Sequence, residues 1–138
     1  MAASLSLSTK LLLALAGLFG LFYLAMGILW LVAPVVAAGA LGASLLQGTG
    51  FATQLGDSAS FFICSGLFML LGVLRRNASF LFAGGLLIGL VAPVRLLAWQ
   101  VYHAPLTLEP IVAEVVTLLV LFAAARAVRS SRAPAAGS

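Results

Sequence analysis

Charge is scarce in this chain. Of its 138 residues only 7% are charged, with 3 acids, 1 histidine and 1 cysteine. Each shortage excludes a chemistry. Cys64 stands alone, so no CxxC pair exists for thiol–disulfide exchange, and a lone cysteine in an apolar run reads as a small hydrophobe. One histidine cannot ligate a haem from both faces, and no helical Glu-x-x-His pair offers a di-iron site. No glycine-rich phosphate loop occurs in a soluble segment, which argues against nucleotide hydrolysis. Neither a metal site nor a cofactor is therefore expected.

Apolar side chains are abundant instead. They make up 64% of the chain, and the mean hydropathy is +1.25. No soluble fold of this size hides so much apolar surface. A hydrocarbon core about 30 Å thick is crossed by roughly 20 apolar residues in a helix. Four such runs are visible, at about 11–36, 58–74, 78–100 and 106–128. Lipid cannot satisfy backbone N–H and C=O groups, so each run should be helical. The expected fold is all-α, an integral membrane four-helix bundle over residues 10–128. Residues 1–9 form a short leading segment with Ser8 or Thr9 as helix cap, and 129–138 a disordered basic tail. The first run is too long for the 7–15-residue core of a signal peptide.

The formal charge of +4 would suit nucleic acid, but its distribution does not. Lys10, Arg75, Arg76, Arg126, Arg129 and Arg132 flank helix ends, while Ala37–Asp57 and Val101–Pro110 hold no Lys or Arg. That asymmetry is the positive-inside pattern, and it predicts both termini in the cytoplasm. The partner is then the lipid bilayer and not nucleic acid. A drug exporter of the small multidrug resistance type would need an acid in its first helix. This first run has none.

The long connection from about Ala38 to Gly56 mixes glycines with Leu41, Leu45, Leu46, Phe51 and Leu55. It is too apolar for a disordered loop and suits a connector, short helix or lid lying on the membrane surface. Asp57 is expected to cap the second helix. In the third run, Gly85 and Gly89 form a GxxxG spacing that lets another helix approach, within the bundle or in a homodimer. Pro93 should free a backbone carbonyl and bend that helix just before Arg95.

Arg95 and Glu114 are the sharpest signal. Each is an ionised group inside an apolar run, which costs several kcal/mol unless it is paired or lines a polar cavity. At 1.5 Å per residue both lie roughly 10–12 Å below the same surface. Their helices are joined by a short loop and should be antiparallel neighbours, so contact is expected. Asp57, Glu109 and His103 gather at the same end. Arg95, Trp99 and Tyr102 share a helical face, Thr117 follows Glu114 by three residues, and Trp30 reaches a similar height. Together they predict a polar and aromatic pocket opening outward. Bland roles compete with this one. Trp30, Trp99 and Tyr102 suit an interfacial belt, His103 an exposed loop, Glu109 a helix N-terminus, and Arg95–Glu114 a structural clamp.

The stretches "LVAPVVAAGALG", "GDSASFFICSGLFMLLGVLRRNASFLFAGGLLIGLVAPVRLLAWQVYHAP" and "LEPIVAEVVTLLVLF" resemble the DUF4345 family of small four-helix bacterial membrane proteins, within the DoxX-like group. The resemblance spans about 17–128. Tyr102-His103-Ala104 occupies the place where family members often carry an Asp-Gly type turn. The resemblance implies a bacterial inner-membrane protein in which Arg95 and Glu114 match recurring positions. The wider group ranges from respiratory accessory subunits to assembly factors, so it implies no one activity.

Three functions are compatible with these residues. One is a binding protein for a small amphipathic, lipid-like or quinone-like ligand, or for a membrane partner subunit. In it Arg95 holds an anionic or polar head group, Glu114 orients it and Trp99 forms a wall. Another is an isomerase-type membrane enzyme with Glu114 or Asp57 as proton carrier; an acid held ionised by a tight arginine partner suits that role poorly. The third is an accessory or assembly subunit, or a homo-oligomer, docking through its glycine faces.

Overall fold

The computed structural model describes residues 5–132 and is helical nearly throughout. Helix α1 spans Leu7–Val32. Its cap is Ser6, ahead of the expected Ser8 or Thr9: the Ser6 hydroxyl accepts the Thr9 N–H at 3.2 Å, the usual reach of an N-cap to the third helical residue. Thr9 is itself buried. At Ala33 the backbone leaves helical geometry, and Pro34 starts a short helix α2, Pro34–Ala40, where a missing N–H costs nothing. The first spanning helix thus ends at Val32, short of the expected boundary near Val36.

The second span departs further from expectation. Helix α3 runs Gly48–Leu74 and starts well before Ser58. The loop ahead of it is tied down by one side chain. Gln54 accepts from the Leu46 N–H at 2.9 Å and donates to the Ser44 carbonyl at 3.1 Å. Asp57 consequently lies inside the helix and caps nothing. The short helix α2 precedes the apolar residues expected to form one: Leu41, Leu45 and Leu46 lie in the loop, and Phe51 and Leu55 belong to α3.

Asn77 caps helix α4, Ala78–Gly89, by accepting the Ser79 N–H at 2.9 Å. The chain then breaks at Leu90 and continues as α5, Val91–Tyr102. Pro93 explains the break: it has no N–H to give the Gly89 carbonyl. Helix α6 spans Leu108–Arg132. Residues 129–132 of the expected disordered tail are therefore helical, and 133–138 lie outside the described residues, as do 1–4 of the leading segment.

Among the described residues four helices are long and apolar enough to cross a membrane: Leu7–Val32, Gly48–Leu74, Ala78–Tyr102 and Leu108–Ser131. Leu18, Leu31, Leu74, Val94, Val112 and Leu119 are exposed on the outside of the bundle. An aqueous protein would not tolerate such a surface, whereas hydrocarbon does. The chain is a multi-pass membrane protein.

Successive spans run antiparallel. Gly20 faces Met69 and Leu70 while Gly27 faces Ile63; Gly72 faces Leu81 while Gly84 faces Met69; and Gly85 faces Leu121 while Gly89 faces Leu118. The helices close into a ring α1–α3–α4/α5–α6, with α1·α3 the broadest seam and α1·α6 a thin one. Small residues set the broad seam. A Cβ on Gly66 would sit 2.5 Å from the Leu24 backbone nitrogen, so only glycine allows this approach. The GxxxG spacing is used the same way. A Cβ on Gly85 would meet Leu121 Cβ at 2.8 Å, and one on Gly89 would meet Leu118 Cβ at 2.9 Å. That face is filled by the chain's own α6.

Candidate functional site

Breaking the third span at Leu90 has a consequence for the end of the bundle that holds Arg95. Beyond the break, α5 packs mainly on α6 and α4. A cavity of about 190 Å³ lies in this region and draws on every span. Helix α1 supplies Phe22, Tyr23 and Met26, and α3 supplies Phe61 and Phe62. Ile88, Val91 and Arg95 come from the third span; Pro110, Ala113 and Glu114 from α6; Leu41 from the connector.

Arg95 and Glu114 are in contact. Arg95 Nε donates to Glu114 Oε1 at 2.8 Å, with side-chain exposures of 28% and 10%. The matched depth of the two residues on neighbouring antiparallel helices brings them together. Arg95 Nη1 also reaches the Thr107 hydroxyl at 3.5 Å, a long contact to the loop before α6. The pair is joined by one prong only: Glu114 Oε2 is buried and has no hydrogen-bond partner among the described residues.

Thr117 is buried one turn below Glu114. Its hydroxyl donates to the Ala113 carbonyl at 2.8 Å and lies 3.2 Å from the Tyr23 hydroxyl. Since Thr117 spends its proton on Ala113, Tyr23 donates in the second bond. This chain of bonds pins α1 to α6 where their seam is thin. Tyr23 also stacks on Phe62, with ring centroids 6.1 Å apart.

The expected aromatic walls are elsewhere. Trp99 and Tyr102 are exposed and do not line the cavity. Helix α5 is covered along a narrow stripe, so a face shared with Arg95 on the helical wheel still turns outward beyond the reach of the arginine chain. Trp30 is fully buried under α2 and the connector, among Ala37, Ala38 and Ala59, and its Nε1 has no partner among the described residues. It too is outside the cavity. His103 is exposed at φ 54, ending α5 as its left-handed cap, where the chain must reverse direction. Glu109 is exposed in the first turn of α6, the end at which the helix dipole favours a carboxylate. Asp57 is exposed on α3 and borders a separate shallow depression with Ser58, Phe61, Phe62 and Val91.

The cavity therefore keeps Arg95 and Glu114 from the expected set, with Thr117 adjacent behind Tyr23. Tyr23, Met26, Phe61 and Phe62 were not anticipated in it. Tyr23 shares a buried face of α1 with Gly27 and Trp30, at i, i+4 and i+7. A second hollow, an apolar groove of about 840 Å³, lies between α1 and α6 and shares Phe22, Tyr23 and Ala113 with the cavity. Glu109 and Thr117 border this groove.

Comparison with protein families, with curated proteins and with solved structures finds no match.

Proposed function

We propose that this protein binds a small amphipathic, lipid-like ligand in the cavity between its helices. The observation that carries the reading is the cavity's composition: apolar and aromatic walls from all four spans, with one charged corner made by Arg95 and Glu114. Ligand sites are commonly concave and mostly apolar, with a few placed polar groups that fix orientation. Polar groups within a spanning segment are costly, which favours a use for them.

The basic residues support a placement in the bilayer. Lys10 begins α1, Arg75 and Arg76 turn between α3 and α4, and Arg126 and Arg129 lie near the end of α6. Successive antiparallel spans put these at one end of the bundle, and Arg95 and Glu114 toward the other. We read the basic end as cytoplasmic, with both termini there and the cavity toward the outer leaflet. The resemblance to the DUF4345 group suggests a bacterial inner membrane, and we adopt that as part of the proposal.

The other two functions have less support. An isomerase would need Glu114 or Asp57 as proton carrier, but one Glu114 oxygen is held by Arg95 and Asp57 is outside the cavity. A docking subunit would need free glycine faces, but Gly85 and Gly89 pack on α6. The test is the thermal stability of detergent-purified protein across a panel of lipids and quinones. Stabilisation by an amphiphile that Arg95→Ala reduces is the expected result. Absence of stabilisation by every member of the panel refutes the proposal.

A further inference from the structure

The corner at Arg95 has more to say about the ligand's head group. Glu114 is 8% exposed and its Oε1 is taken by Arg95. Its Oε2 is buried, without a partner, on a side chain that lines the cavity. A buried carboxylate oxygen strongly favours gaining a donor. The arginine charge, meanwhile, is already matched by Glu114 at 2.8 Å. An anionic head entering here would meet the glutamate charge, and a cationic head would meet the arginine. A neutral group that donates a hydrogen bond meets neither objection.

The tail has a route as well. The groove between α1 and α6 is walled by Leu15, Leu18, Val112 and Val116 and meets the cavity at Phe22, Tyr23 and Ala113. Because Tyr23 donates to Thr117, its hydroxyl is directed away from demands on the ligand.

We infer that the site takes an uncharged, hydroxyl-headed amphiphile. Its hydroxyl donates to Glu114 Oε2, and its chain leaves past Phe22 into the α1/α6 groove. This rests on the ligand-binding proposal above and narrows the anionic or polar head group expected at Arg95 to an uncharged polar one.

Native mass spectrometry of the full chain in detergent tests it, using dodecanol, dodecyl methyl ether and dodecanoate at equal mole fraction in the micelle. Dodecanol should bind roughly tenfold more tightly than the ether, which accepts but cannot donate, and no less tightly than dodecanoate. In Glu114→Gln an amide N–H₂ replaces Oε2 and can donate to the ether, so the difference should largely disappear. Val112→Trp, which fills the groove away from both charges, should lower dodecanol occupancy. Equal binding of alcohol and ether by the unmodified protein, or tighter binding of dodecanoate, overturns the head-group inference and leaves amphiphile binding standing. A preference for alcohol that survives Glu114→Gln overturns its assignment to Oε2. Unchanged dodecanol binding in Val112→Trp overturns the tail's route. If none of the three probes binds, both this inference and the proposal beneath it fail.

Discussion

Removing either member of the Arg95–Glu114 pair should destabilise the bundle, but by unequal amounts. In Arg95→Ala, Glu114 stays nine-tenths buried with neither oxygen bonded to arginine. Leaving a buried charge without its partner costs about 3–5 kcal/mol. In Glu114→Ala, the remaining arginine is 28% exposed, contacts Thr107 and has a long stem that can carry its charge toward the surface. That relief should hold the loss to roughly 1.5–3 kcal/mol, the range for a lost hydrogen bond to a charged group. The double change Arg95→Met with Glu114→Leu should fall near the unmodified protein, since apolar replacement of a buried pair is often neutral. Denaturant unfolding in mixed micelles, followed by circular dichroism at matched detergent, gives the order. Equal losses in the two single variants, or a larger loss in Glu114→Ala, would refute the reasoning about which charge is trapped.

Other expected outcomes follow from the packing and the topology. Gly66→Ala should prevent a well-packed bundle, because its Cβ would press on the α1 backbone; Gly39→Ala, with open space around it, should be close to neutral, and size-exclusion profiles in detergent compare the two. Tyr23→Phe removes the donor to Thr117 and should cost about 0.5–1.5 kcal/mol in the same unfolding assay, with little further loss when Thr117→Val is added. Gln54→Ala cuts both ties to the loop before α3 and should make residues 41–47 the first site of limited proteolysis. Reporter fusions at residues 45 and 104 should be active outside the cytoplasm and fusions at 76 should not; the reverse pattern would invert the proposed orientation.

Hydropathy made the four spans legible because lipid imposes one requirement on every run, a closed set of backbone hydrogen bonds. The Arg95–Glu114 contact was legible for a similar reason: a short loop fixes both the neighbour and the depth. What hydropathy does not carry is a tie between distant side chains. Gln54 anchors a loop and lets α3 begin at Gly48, which moved Asp57 from a cap to an exposed helical position. Tyr23 meets Thr117 across 94 residues, and no local pattern announces that pairing. Periodicity also groups residues on a face without saying how much of the face is covered. Trp99 and Tyr102 were grouped with Arg95 in that way, yet α5 is covered too narrowly to bring them inside. Trp30 did face inward, but its height set it beneath the connector instead of in the cavity.

Under the proposed function, the cavity between the helices holds an amphiphile. Mass-spectrometric comparison of lipids that co-purify with the unmodified protein and with Ala113→Phe tests it most directly, because Ala113 lines both the cavity and the groove. A hydroxyl-bearing species should be enriched with the unmodified protein and lost from the variant. Identical lipid profiles from two equally well-folded samples would contradict it.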